Sequence, residues 1–165
     1  MRTLIGIDPG LASTGWGVVR FDGSRFRHVA HGVIETDSAD SLPSRLLLIH
    51  DRIRKVLTKF SPDEAGVEEL FFSKNITSGM AVAHARGVVF LALGRKGIPV
   101  GSYTPQQVKL AVIGKGRAEK DQVQRLVAVL LGLETVPGPD HAADALAIAI
   151  CHANRSYLHV QQPER

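Results

Sequence analysis

The chain has 165 residues, 44% of them apolar and 22% charged, with a formal net charge of +4 and a single cysteine. That length allows one domain with a real core, and no run approaches the roughly 18 to 20 uninterrupted apolar residues of a membrane span, so no membrane partner is expected. The opening MRTLIGIDPG breaks its short apolar run at Asp8-Pro9-Gly10, so no secretory leader is expected, and Cys151 has no second thiol to pair with. A reduced, cytoplasmic protein is expected. The surplus of 20 Lys and Arg over 16 Asp and Glu suits an anionic partner without identifying one.

In chain order, residues 3–8 form a short apolar run that ends in an acid and a Pro-Gly break, which reads as a buried strand. Two further strand patterns, 14–21 and 26–35, are parted by Asp22-Gly23-Ser24, so the first three strands form an antiparallel meander. Ser41-Leu42-Pro43 opens a helix with proline in its first turn. Leu42, Leu46, Ile49, Ile53, Val56, Leu57 and Phe60 stripe one face, and Ser61-Pro62 ends it. A fourth strand spans 64–70. The next helix, roughly 77–95, is built on small residues (Gly79, Ala81, Ala83, Ala85, Gly87, Ala92), so another helix can approach it closely, within the fold or across a dimer. A fifth strand over 98–103 and two helices, 119–131 and 140–153, complete the pattern. The order βββ-α-β-α-β-α-α predicts one α/β domain over 1–153: a five-stranded mixed sheet, three strands antiparallel and then parallel, flanked by helices. Residues 154–165 are mostly polar and read as a flexible C-terminal tail.

The acids sit at telling places. Asp8 closes the first strand and Glu68 lies near the end of the fourth, which can return through its helix to lie parallel beside the first. His141 and Asp144, three apart, share one face of the last helix. Simpler roles exist for each: Asp8 as a turn-forming acid, Glu68 as a solvated strand end, His141 as a surface residue. Asp140, after Pro137-Gly138-Pro139, reads as a helix N-cap. Asp144 is harder to explain that way, because Ala145 to Ile150 behind it carries hardly a polar atom. Two carboxylates about 4 Å apart repel by roughly 4 kcal/mol at an effective dielectric of 20, so three together call for a cation. An oxygen-rich cluster suits Mg²⁺ or Mn²⁺, and two ions in one site straddle a scissile phosphate.

Several stretches, each weak alone, are specific in their order and spacing. They are Gly6-Ile7-Asp8-Pro9-Gly10, Leu42-Pro43-Ser44-Arg45-Leu46, Val67-Glu68, Ala85-Arg86-Gly87-Val88, Gln107-Val108-Lys109, Ala118-Glu119-Lys120 and Ala142 to Ala149. With them the chain resembles the bacterial RuvC family of crossover junction endodeoxyribonucleases over about residues 3–153. The resemblance implies an RNase H-like fold, a homodimer, and resolution of Holliday junctions by paired nicks in homologous recombination and repair. It also implies RuvA and RuvB as branch-migration partners, and two Mg²⁺ ions per site, replaceable by Mn²⁺. It maps the catalytic and metal-binding set onto Asp8, Glu68, His141 and Asp144. Many members carry Asp where this chain has His141, which keeps a ligand but removes one negative charge.

Outside the acids, the resemblance places Lys109 and Lys120 near the cut, where a lysine stabilises charge developing on the phosphate. Lys115 and Arg117 lie in a Gly-rich loop suited to backbone contact, and Arg86 and Lys74 are further candidates for DNA binding. Phe71 and Phe72 follow the Glu68 strand; by pattern they are core or dimer contacts, or a base-stacking wedge, and the family pattern assigns the wedge to Phe71. Three other readings compete. A non-catalytic junction binder and another nuclease of the RNase H-like fold both fit the charge pattern. A phosphate-binding ATPase of the actin and sugar-kinase kind shares the Asp- and Gly-rich opening but needs a second lobe.

Overall fold

The computed structural model describes residues 1–69, 76–114 and 119–161; for 76–78 and 156–161 it describes the helical backbone. Five strands, β1 (Arg2–Asp8), β2 (Ser13–Phe21), β3 (Phe26–Glu35), β4 (Glu64–Glu68) and β5 (Val100–Tyr103), form one sheet in the order β3-β2-β1-β4-β5. The β3-β2-β1 half is antiparallel and β1-β4-β5 is parallel. This is the mixed sheet predicted from the pattern, and it is the RNase H-like arrangement.

Among the described residues five helices cover the two faces: α1 (Leu42–Phe60), α2 (Ile76–Arg95), α3 (Pro105–Ile113), α4 (Lys120–Leu131) and α5 (Asp140–Gln161). Two apolar clusters result. One packs Ile49, Ile53 and Leu57 of α1 and Val89 and Leu93 of α2 against Ile5, Ile7 and Val67. The other packs Val108, Val127, Leu146 and Ile150 of the remaining helices against Leu4 and Val19. Ser41 caps α1 by accepting a bond from the Ser44 amide, and Ser61 closes it in the left-handed region at φ 44°.

Two helices depart from expectation. Between β5 and α4 stands α3, an element additional to the predicted order; Thr104 and Gln107 form a reciprocal capping box around Pro105. At the other end α5 continues to Gln161, eight residues beyond the expected stop at Ala153. Polar residues need no burial to stay helical, and no glycine or proline interrupts the sequence before Pro163.

What positions the site is the close seat of α5 on the sheet. A Cβ on Gly6 would run into the Ala145 carbonyl, and one on Gly15 into the His141 carbonyl. At Gly66 a Cβ would come within 3.0 Å of His152 Cβ. Glycines on three strands and alanines on the helix thus let backbone approach backbone. The start of α5 is thereby held over the ends of β1 and β2.

Candidate metal centre

Strand register brings the first two acids together. Ile7 pairs with Val67 across the parallel β1–β4 ladder, so Asp8 and Glu68 are the next residues of adjacent strands. Side chains alternate along a strand, so Asp8 shares a face with Gly6, and Glu68 with Gly66, the face that α5 covers. The chain leaving Asp8 turns sharply, and the buried Thr14 hydroxyl holds that turn by donating to the Gly10 carbonyl at 2.7 Å.

The first turn of α5 adds the other two groups. His141 Nδ1 lies 2.7 Å from Asp8 Oδ2, and one ligand atom from each of Asp8, His141 and Asp144 falls within 4.8 Å of the others. Glu68 is hydrogen-bonded to Asp8. Burial, and then the neighbouring Asp8 and Asp144 charges, push its carboxyl up to about 8. Burial also raises Asp144, against the pull of Lys120. The four residues singled out from the sequence therefore meet at one sheet edge.

Lys120, the first residue of α4, donates to Asp144 Oδ2 at 3.0 Å and pairs with Asp140 Oδ2 at 3.4 Å. Burial works against its ammonium, but the bonds and charges of the two aspartates outweigh that and hold its pKa above the usual lysine value. Asp140 itself is the first residue of α5 rather than its N-cap: its carboxylate accepts from Gln124 and pairs with Lys120, while the Pro139 carbonyl accepts the Ala142 amide. A helix opening beside a lysine and a glutamine offers that carboxylate better partners than its own amides. Lys109, on α3, lines a cleft of about 190 Å³ together with Glu68, Lys120, Asp144 and apolar side chains of α3, α4 and α5. Both lysines singled out from the sequence thus border the acids.

Arg86 lies on α2 with its guanidinium turned to the end of β4, a placement the sequence pattern did not suggest. Phe71, Phe72, Lys74, Lys115 and Arg117 lie outside the described residues.

Carboxylates and an imidazole gathered this closely, with one carboxyl forced toward its protonated form, are short of positive charge, and their donor set fits Mg²⁺ or Mn²⁺. Fold and site together define an RNase H-like domain with an acidic, metal-competent edge. The chain belongs to the RuvC family: the family profile described as crossover junction endodeoxyribonuclease RuvC matches residues 4–152. A RuvC of Chloroflexus aggregans is 53% identical over 153 residues, covering 93% of each chain. The T. thermophilus RuvC in complex with a Holliday junction substrate superposes with a TM-score of 0.92 at 38% identity, covering 96% of both chains. A yeast mitochondrial Holliday junction resolvase, 14% identical with a TM-score of 0.65 over 96% of this chain and 82% of its own, shares the fold.

Proposed function

We propose that this protein is a divalent-metal-dependent endonuclease that resolves Holliday junctions by paired symmetric nicks, acting in the cytoplasm in recombination and repair. The observation that carries the reading is the meeting of Asp8, Glu68, His141 and Asp144 from three separate elements at one edge of the sheet. The family membership and the junction-bound T. thermophilus relative support the substrate.

Asp8, Glu68, His141 and Asp144 are the residues that would hold two Mg²⁺ ions, with Mn²⁺ able to replace them. Bound there, such ions supply Lewis acidity and make water a nucleophile near neutral pH. The chain supplies the rest. Its acids fix the place where a phosphodiester is attacked in line, with loss of the 3′-oxygen and a 5′-phosphate product. The His141 Nδ1–Asp8 Oδ2 hydrogen bond ties together two atoms of the donor set and orients the imidazole toward the acids. Lys120 and Lys109 bring fixed positive charge to the same cleft, where charge grows on the phosphate as the bond breaks. The family pattern makes Phe71 a base-stacking wedge, and the charges of Lys74, Lys115 and Arg117 extend the DNA contact. Two copies as a homodimer serve the two equivalent strands of a pseudo-twofold junction, with RuvA and RuvB as partners.

The test is cleavage of a synthetic four-way junction in Mg²⁺ and Mn²⁺, beside duplex, single-stranded and RNA–DNA hybrid controls. Symmetric, ligatable nicks confined to the junction are the expected result. Binding without cleavage in either metal overturns the assignment.

A further inference from the structure

Glu68 stands at the very end of its strand. The β1–β4 ladder stops at Ile7 and Val67, so the Glu68 carbonyl lies past the last paired position on that side. A carbonyl there needs another donor, or the peptide that carries the Glu68 side chain is free to swing. Arg86 is that donor. Its Nε gives a hydrogen bond to the Glu68 carbonyl at 3.1 Å, and its Nη2 gives one to the Ser102 hydroxyl of β5 at 3.0 Å. One turn along the same face of α2, the Phe90 ring lies 4.5 Å from the guanidinium carbon and holds its plane. A second tie comes from β5, whose Tyr103 carbonyl accepts the Glu69 amide at 2.8 Å.

We propose that Arg86 is a positioning residue for the metal site: it fixes the Glu68 peptide between α2 and β5, so that the Glu68 carboxylate meets Asp8 and Asp144 in one arrangement. The inference rests on Glu68 being a metal-site carboxylate. Only a planar guanidinium can bridge two acceptors while lying on a ring, so lysine retains the charge but not the function. The sequence alone suggested a different role, a phosphate contact, and the two roles predict different measurements.

The experiment compares wild type with Arg86→Lys and Ser102→Ala in three assays. They are junction binding in EDTA as a function of salt, Mn²⁺ binding to the DNA-free protein by calorimetry, and single-turnover junction cleavage across a Mg²⁺ titration. For R86K, junction affinity and its salt slope stay at the wild-type value, while Mn²⁺ affinity and the cleavage rate fall roughly 10-fold, the usual effect of losing a partner behind a metal ligand. S102A moves metal affinity the same way by less, and is the deciding variant if R86K does not fold. The proposal is overturned if a charge-removing variant, Arg86→Gln, lowers the salt slope by about 0.9 with Mn²⁺ affinity intact, the signature of a lost phosphate contact. It is equally overturned if neither R86K nor S102A changes Mn²⁺ affinity. Failure of the wild type to cut would strike the nuclease reading instead, leaving the Mn²⁺ and binding results to judge Arg86.

Discussion

Strand β4 and helix α5 face each other at two levels, and each level pairs a glutamate with a histidine or an acid. At the upper one, Glu68 meets Asp8 and Asp144, with His141 alongside. Two helical turns further along α5, His152 faces the other end of β4: its Nε2 lies 3.1 Å from Glu64 Oε2 and its Nδ1 2.8 Å from the Tyr103 hydroxyl. Arg2 completes that lower chain with a 2.7 Å ion pair to Glu64 Oε1. The lower cluster has one acid, one guanidinium, a histidine and a phenol, and every acid oxygen has a donor. The upper one gathers three acids, with Lys120 ion-paired to Asp144 and shared with Asp140, and one of its carboxyls is pushed up to about 8. The residue types are nearly the same; the balance of charge separates a structural tie from a site whose donors suit cations.

Removing an acid from the upper level gives the largest effect on activity. Asp8→Asn keeps the fold and junction binding, and lowers the single-turnover cleavage rate by roughly 10³-fold or more. Gel assays on a labelled junction check both quantities. Near wild-type nicking in Mg²⁺ would remove Asp8 from the mechanism.

On stability the two levels respond with opposite sign. Glu64→Gln strips Arg2 and His152 of their anion and destabilises by about 1 to 3 kcal/mol, less than a fully buried pair because both partners keep some exposure. Glu68→Gln in EDTA near neutral pH removes the cost of burying a carboxyl among acids, which folding meets by taking up a proton, while an amide N–H still reaches Asp8, and stabilises by about 1 kcal/mol or more. Added Mg²⁺ raises the melting temperature of wild type by mass action but not that of Glu68→Gln. Urea titrations measure the two free-energy changes, and thermal melts with and without Mg²⁺ measure the shift in melting temperature. If both substitutions destabilise alike, the contrast in charge balance is wrong.

Much of this was legible in the sequence because it lies in local patterns. Hydropathy alternation, the Asp22-Gly23-Ser24 turn and the acids at strand ends placed Asp8 and Glu68 side by side. The helical spacing of His141 and Asp144 placed them on one face. Other features are sums over distant segments. Gly6, Gly15 and Gly66 read as ordinary strand glycines until α5 is laid on them. Arg86 carries a charge that any basic face would use, and its bridge between Glu68 and Ser102 exists only once β4, β5 and α2 are assembled. Helix α3 is a different case: Thr104-Pro105-Gln106-Gln107 is a local helix start, so its signal was present and unread.

The smallest effect, and the one that compares the two levels in a single experiment, is the pH dependence of stability without metal. Burial lowers the pKa of His152, with Glu64 pulling the other way. Below its ordinary 6.5 the unfolded chain therefore takes up a proton before the folded one does, and stability falls as pH falls through that window. Glu68 behaves in the opposite sense. Its folded carboxyl holds a proton up to about 8 against an ordinary 4.5, so the folded state binds more protons in that range and loses stability as pH rises. Below about pH 6.5 in EDTA the two contributions oppose each other, and from there to about 8 that of Glu68 is left, so wild type loses stability as pH rises through that upper window. Glu68→Gln removes that fall, so stability rises with pH up to about 6.5 and then levels; His152→Gln, if it folds, lets the Glu68 fall run uncompensated below 6.5. Saturating Mg²⁺ should favour ionised Glu68 and bring wild type to the slope of Glu68→Gln. A wild-type slope that metal leaves unchanged would mean that Glu68 does not exchange its proton for a cation.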